Sequence, residues 1–168
     1  MAPGRPGLRF GAGFLVLVAL CSTLTSSRMV GGLIHDHLTR WIATASAWLL
    51  AFLGPATALG SYVTFRTFGA MVEGACDGVQ PASIFLCAVL AYPSRWTDKA
   101  WGIAIGVPVV MLINLVRVTT VVACGAYWPD LFERVHLYGW QALVIVLTIA
   151  VWVLWAELVV RPRDQALA

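Results

Sequence analysis

This 168-residue chain contains three long stretches with almost no charged side chains, at residues 79–92, 101–127 and 137–160. A fourth apolar run covers residues 10–24. Runs of about 20 apolar residues are long enough to cross a lipid bilayer as helices. Because 60% of all residues are hydrophobic and only 11% are charged, the chain as a whole is too apolar for a soluble domain. The sequence therefore predicts an all-α polytopic membrane protein.

The predicted architecture is a single integral membrane domain over residues 1–168, with four to five transmembrane helices. Residues 41–59 decide between the two numbers, because they mix small and polar residues with bulky side chains that recur at helical spacing. We expect them to form either a spanning helix or an amphipathic helix in the membrane interface. The run at 10–24 is predicted to be an uncleaved anchor, with cleavage after Ser26 or Ser27 as the alternative.

Residues 62–74 differ from these helical segments. They alternate apolar and polar side chains and are rich in β-branched and aromatic residues. This pattern predicts a short extracytoplasmic hairpin or extended loop at the membrane surface, directly before the helix at 79–92.

The Lys and Arg residues orient the predicted helices, because they are enriched on the cytoplasmic side of membrane proteins. With four spans, the side of both termini carries Arg5, Arg9, Arg95, Lys99, Arg161 and Arg163, and the other side carries Arg28, Arg40, Arg66 and Arg134. This bias places both termini in the cytoplasm. Five spans give a bias of the same size, but they require translocation of basic residues before the first helix, which is disfavoured. Both arrangements place the segments before Cys76 and before His136 on the outer face.

The motif EGACDG places Cys76 directly before the apolar run at 79–92. A helix N-terminus presents free backbone N–H groups and the positive end of the helix dipole, which would lower the pKa of a thiol there. Gly74 and Gly78 let the backbone bend and let a substrate approach. Asp77 acts in the opposite direction, because a neighbouring carboxylate disfavours a thiolate. We predict that Cys76 is a nucleophile at the membrane surface.

Two polar residues interrupt the helix predicted at 101–127. The motif INLVRV places Asn114 and Arg117 on one helical face. A charged side chain in lipid costs at least about 2.5 kcal/mol, so Arg117 should point into the protein toward a partner. Glu73 and Asp77 are the candidate partners.

His136 is predicted to open the last helix on the same side of the membrane as Cys76. Together with Arg117, these residues would bring a thiol, an imidazole and a guanidinium to one face of the bundle. A thiolate can attack a carbonyl, an imidazole can transfer protons, and a guanidinium can stabilise an oxyanion. The sequence therefore predicts a hydrolase or transferase site with Cys76, Arg117 and His136 as its catalytic residues.

Three motifs in this order, EGACDGVQ, INLVRV and HLYGWQ, resemble the signature of the exosortase/archaeosortase family of membrane-embedded sortase analogues. The resemblance covers about residues 60–160 and rests on Cys76, on Arg117 with Asn114, and on His136. The joint pattern is more specific than any one motif. Members of the family often have serine or asparagine after the cysteine, where this chain has an aspartate.

The resemblance implies a bacterial inner-membrane cysteine transpeptidase or peptidase, active on the extracytoplasmic face. Its partners would be exported proteins with a C-terminal signal made of a short motif, a transmembrane helix and a basic tail. The enzyme would form a thioacyl intermediate on Cys76 and pass the protein to an unknown acceptor nucleophile. Glu73, Asp77, Gly78 and Asn114 would support the site or bind substrate. Contact with the lipid bilayer is expected, but no metal or organic cofactor and no nucleic acid.

Two other functions fit parts of the sequence. A non-catalytic scaffold or assembly protein could use Asn114 and Arg117 only to lock helices together. A thiol oxidoreductase could use Cys76 and Cys124, but the chain has no closely spaced cysteine pair. The scaffold is the stronger alternative.

The other cysteines and histidines are predicted to have structural roles. Cys21 and Cys87 are interpreted as packing residues inside helices. His35 and His37 are interpreted as solvated residues of a polar connector.

Overall fold

The structure, a computed structural model, describes residues 6–27 and 30–161. Within these ranges the chain forms helices α1 (Pro6–Thr25), α2 (Val30–Leu50), α3 (Val79–Ala91), α4 (Trp96–Tyr127) and α5 (Pro129–Val160). Strands β1 (Ala56–Leu59), β2 (Tyr62–Phe65) and β3 (Phe68–Met71) lie between α2 and α3. Single π-helical turns interrupt α4 at Gly102–Gly106 and α5 at Val135–Gly139 and Ala156–Val160. Arg5, Arg28 and Arg163, which were counted for membrane topology, lie outside the described residues.

Three of the described helices are long and apolar enough to cross a membrane, namely α1 over Gly7–Thr25, α4 and α5. Helix α3 is apolar but has 13 residues. Helix α2 has 21 residues and is less apolar, with Asp36 and Arg40 in its N-terminal half. The prediction of an all-α polytopic membrane protein is confirmed. The total is four spans if one of the helices α2 and α3 also crosses the membrane, and five if both do.

The boundaries predicted for the helix at 41–59 are wrong. Helix α2 begins at Val30, in a polar segment that was interpreted as a connector, and it ends at Leu50. The backbone N–H of Gly54 closes the last turn by donating to the Leu50 carbonyl oxygen (3.2 Å). Pro55 follows, and a proline disfavours helical backbone in the residue before it. The chain leaves the helix here and enters β1.

The sheet is antiparallel with the order β1-β2-β3. The hairpin predicted at 62–74 is confirmed by β2 and β3, whereas β1 was missed because it lies in the segment predicted to be helical. Val63 and Phe65 of β2 are fully buried in a core cluster shared with α2 and α4. Cys76 packs against the same cluster, so the sheet lies beside the candidate nucleophile.

A second core cluster joins α3, α4 and α5. It includes Phe85 and Val89 of α3, Val110 of α4, and Trp155 and Val160 of α5, all of them buried. Because lipid tails are as apolar as these side chains, van der Waals packing and not a hydrophobic driving force holds the three helices together. The positions of the candidate residues before α3, on α4 and on α5 are thereby fixed relative to one another.

Candidate active site

Cys76 lies in a tight turn, residues 74–78, which we call the Cys76 turn. Gly74–Cys76 form one 3₁₀ turn, and Gly78 precedes α3 with a φ of +82°. Asn114 of α4 is fully buried and donates its Nδ2–H to the carbonyl oxygen of Cys76 (2.8 Å). Asn114 therefore supports the backbone of Cys76.

Gly78→Ala is expected to destabilise the protein by about 1–2 kcal/mol, because an L-residue with positive φ is strained. A Cβ atom at this position would also lie 3.0 Å from the side chain of Asn114. Thermal unfolding in nanodiscs measures the effect. The control is Gly32→Ala in α2, where a Cβ meets nothing within 4 Å. Equal unfolding temperatures for the two variants would contradict the expectation.

The structure brings the three predicted catalytic residues together. The Sγ atom of Cys76 lies 3.8 Å from Nε2 of His136 and 3.9 Å from Nη2 of Arg117. They line a cavity of about 50 Å³ whose other walls are apolar side chains of β3, α4 and α5 and Val72. A thiol, an imidazole and a guanidinium thus meet at one small cavity.

Arg117 is 6% exposed, and its neighbours differ from those predicted. Its Nη2 atom donates to Oε1 of Gln141 (3.3 Å) and contacts the thiol. Within the described residues no carboxylate lies within 4 Å of this guanidinium, so the pairing with Glu73 or Asp77 is wrong. Gln141 was missed as a site residue, although it lies five positions after His136 in the motif HLYGWQ.

His136 lies inside a helix and does not open one. Helix α5 begins at Pro129, a residue favoured in the first turn because its missing N–H costs nothing there. His136 occupies the π-helical turn Val135–Gly139, and such turns are frequent at functional sites. Its Nε2 atom faces Cys76, and its buried Nδ1 atom has no hydrogen-bond partner among residues 6–27 and 30–161. The imidazole can therefore exchange a proton with the thiol through Nε2.

Burial raises the pKa of the half-buried Cys76 thiol above its usual value. The guanidinium of Arg117 acts in the opposite direction, while the carboxylates of Glu73 and Asp77 add to the rise. The carboxylate of Asp77 acts in the predicted direction, but the net rise in the pKa is opposite to the predicted lowering by the helix N-terminus. The N–H of Val79 in the first turn of α3 donates to Oδ1 of Asp77 (2.9 Å) and does not face the sulfur.

Alkylation of Cys76 by iodoacetamide is expected to be slow at neutral pH and to accelerate toward alkaline pH, because the thiolate is the reactive form. The direction follows from the raised pKa. Peptide mass spectrometry of the full-length protein in nanodiscs measures the rate at Cys76. A rate that is already maximal at neutral pH would show that the thiolate is stabilised and would contradict this expectation.

The two acidic residues of the turn have different environments. Glu73 is exposed, whereas Asp77 is completely buried. Asp77 accepts from the Val79 N–H through Oδ1 and contacts Nδ1 of His35 through Oδ2. The interpretation of His35 as a solvated surface residue is therefore wrong, and His37 is exposed as predicted.

The four cysteines are free thiols. A disulfide between Cys76 and Cys124, the basis of the oxidoreductase alternative, is absent from the described residues. Cys21 and Cys87 pack inside the bundle with 3.3 Å between their sulfur atoms. Within residues 6–27 and 30–161, no group of three or more His, Cys, Asp and Glu side chains is placed to hold a metal ion.

The family model described as "Transmembrane exosortase (Exosortase_EpsH)" matches residues 4–158. This range includes α1 and α2, which the three motifs do not reach. No curated protein and no solved structure matches the chain.

Proposed function

The chain belongs to the transmembrane exosortase family, and from this premise we propose that it is a cysteine transpeptidase or peptidase with Cys76 as its nucleophile. Its substrates are exported proteins with a C-terminal sorting signal. It works on the extracytoplasmic face of a bacterial inner membrane. The support consists of the family, the three membrane-spanning candidates and the geometry around Cys76.

One observation carries the chemical part of the proposal. Arg117 is a buried cation that no described carboxylate neutralises, and its Nη2 atom lies 3.9 Å from the Cys76 sulfur. A buried unpaired charge is costly, so a merely structural arginine would be expected beside a carboxylate. An arginine without a carboxylate partner keeps its full positive charge available for an oxyanion that develops during a reaction.

The first half of the reaction follows from the three side chains. Burial raises the pKa of the Cys76 thiol and so favours its protonated form, and His136 Nε2 removes the proton as the sulfur attacks the scissile carbonyl carbon. Arg117 stabilises the oxyanion that forms. The C–N bond then breaks, His136 returns its proton to the departing amine, and the substrate is held as a thioester on Cys76.

The second half releases the sorted protein. An acceptor amine or water attacks the thioester carbonyl carbon while His136 takes up its proton. The C–S bond breaks, the Cys76 sulfur leaves as a thiolate, and His136 protonates it. An amine acceptor gives transpeptidation and water gives hydrolysis. The site is then ready for another substrate.

A direct test uses the full-length protein in nanodiscs with an exported protein that carries the short motif, the transmembrane helix and the basic tail. Hydroxylamine serves as the acceptor, because it converts a thioester into a stable hydroxamate. We expect a hydroxamate at the new C-terminus next to the motif, detected by mass spectrometry. A substrate without the motif is the control. A substrate that stays intact with folded protein would contradict the proposal.

A further inference from the structure

The Cys76 turn is held from a second side by α2. His35 of this helix contacts the Asp77 carboxylate through Nδ1. The same Nδ1 atom would lie 3.2 Å from a Cβ atom added to Gly74. His35 therefore contacts Asp77 on one side of Cys76 and lies close to Gly74 on the other.

The contact between His35 and Asp77 is required by burial. Asp77 has no exposed surface, and a buried carboxylate without partners is strongly unfavourable. Its Oδ1 atom accepts the Val79 N–H, and its Oδ2 atom is satisfied by His35. An Nδ1–H donor on His35 is the only assignment that suits a carboxylate acceptor. Without it, Asp77 would keep one hydrogen bond and would be free to turn toward water.

His35 does not take part in the cavity of Cys76. It lines a separate cavity of about 360 Å³ formed by the C-terminal end of α1, by Gly74, Ser26 and the first residues of α3. Cys76, Arg117 and His136 line the other cavity, on the side of α4 and α5. The turn is therefore the direct connection between His35 and the sulfur.

We propose that His35 is a positioning residue of the site, which holds Asp77 and thereby keeps the Cys76 sulfur between Arg117 and His136. Helices α2 and α4 share this task. His35 fixes the turn through the Asp77 side chain, and Asn114 fixes it through the Cys76 carbonyl. That His35 matters for catalysis rests on the proposed function. The position of the Cys76 sulfur, however, is measured without any substrate.

The experiment compares the alkylation rate of Cys76 in full-length protein carrying His35→Ala, His35→Asn or the control His37→Ala. His37 is exposed on the same helix. Each substitution is made with native Arg117 and with Arg117→Gln. An Asn side chain places an N–H close to the position of Nδ1, so His35→Asn keeps the bond to Asp77.

With native His35, Arg117→Gln should slow alkylation, because Arg117 favours the thiolate. With His35→Ala the sulfur leaves the guanidinium, so we expect an altered alkylation rate that Arg117→Gln no longer changes. His35→Asn should restore both the rate and its dependence on Arg117. His37→Ala should behave like the native protein.

Two results would overturn the proposal. One is a His35→Ala protein that is labelled like the His37→Ala protein, and the other is an Arg117→Gln effect that is undiminished by His35→Ala. If His35→Ala does not fold, His35→Asn is compared with His35→Gln, whose longer side chain displaces the N–H from the position of Nδ1. The proposal would also be overturned if these two variants had equal alkylation rates and an equal response to Arg117→Gln. Since alkylation needs no substrate, a failed cleavage test would reject the proposed function without deciding the role of His35.

Discussion

Replacement of Cys76 by alanine is expected to abolish formation of the hydroxamate product, with a loss of at least about 1000-fold. The reason is that no other described thiol or hydroxyl lines this cavity. Its remaining walls are formed by Arg117, His136 and apolar side chains. The alanine variant removes only a sulfur that packs against the core beneath the sheet, so the protein should still fold. The measurement is mass spectrometry of substrate and product after incubation in nanodiscs.

The matched control is Cys124→Ala, which removes a free, half-buried thiol near the C-terminal end of α4. It should leave product formation unchanged, because Cys124 does not line the cavity. Cleavage by the Cys76→Ala protein at the native rate would exclude the thioester route. A loss of activity in both variants, with both folded, would favour a role for the two thiols together.

The convergence of Cys76, Arg117 and His136 was predictable because each residue has a strong local reason for its place. Arg117 interrupts an apolar helix and must point inward, since lipid does not solvate a charge. Cys76 and His136 lie at the ends of apolar runs on the same predicted side. When the helices pack side by side, these constraints leave one region in which the three side chains can meet.

The partners of these residues were less predictable, because they depend on helix boundaries. Helix α2 starts before the apolar run that was used to find it, and this brings His35 over the Cys76 turn. Helix α5 starts at Pro129, so Gln141 lies on a turn that reaches Arg117. A hydropathy pattern locates apolar segments, but it does not detect the polar first turns of helices.

The charge balance of the site also depends on tertiary contacts. The motif places a carboxylate beside the thiol, and sequence alone assigns that carboxylate either to the thiol or to Arg117. In the structure His35 takes up Oδ2 of Asp77, while Arg117 faces the sulfur and Gln141. The buried acid has its hydrogen-bond partners on one side of the turn, and the buried cation stays available on the other.

Replacement of Arg117 by glutamine is expected to lower product formation by about 100- to 1000-fold, the usual effect of removing one oxyanion donor. The pKa of the Cys76 thiol should rise further, because the guanidinium is the group that opposes the effect of burial. Alkylation of Cys76 at a fixed, mildly alkaline pH should therefore be slower in the variant. Arg117→Lys should bring the pKa of the Cys76 thiol part of the way back to its native value. It should restore little activity, because an ammonium group lacks the planar array of N–H donors of a guanidinium.

Arg40→Gln is the control for removal of a positive charge, since Arg40 is exposed on α2 and its one ion pair among the described residues is with Asp36 at 3.8 Å. It should change neither product formation nor the alkylation rate of Cys76. A scaffold role for Arg117 predicts a different outcome, in which Arg117→Gln lowers the yield of folded protein and the folded fraction keeps its full activity. Slow alkylation together with lost activity in well-folded Arg117→Gln protein would place the guanidinium in the chemistry at Cys76.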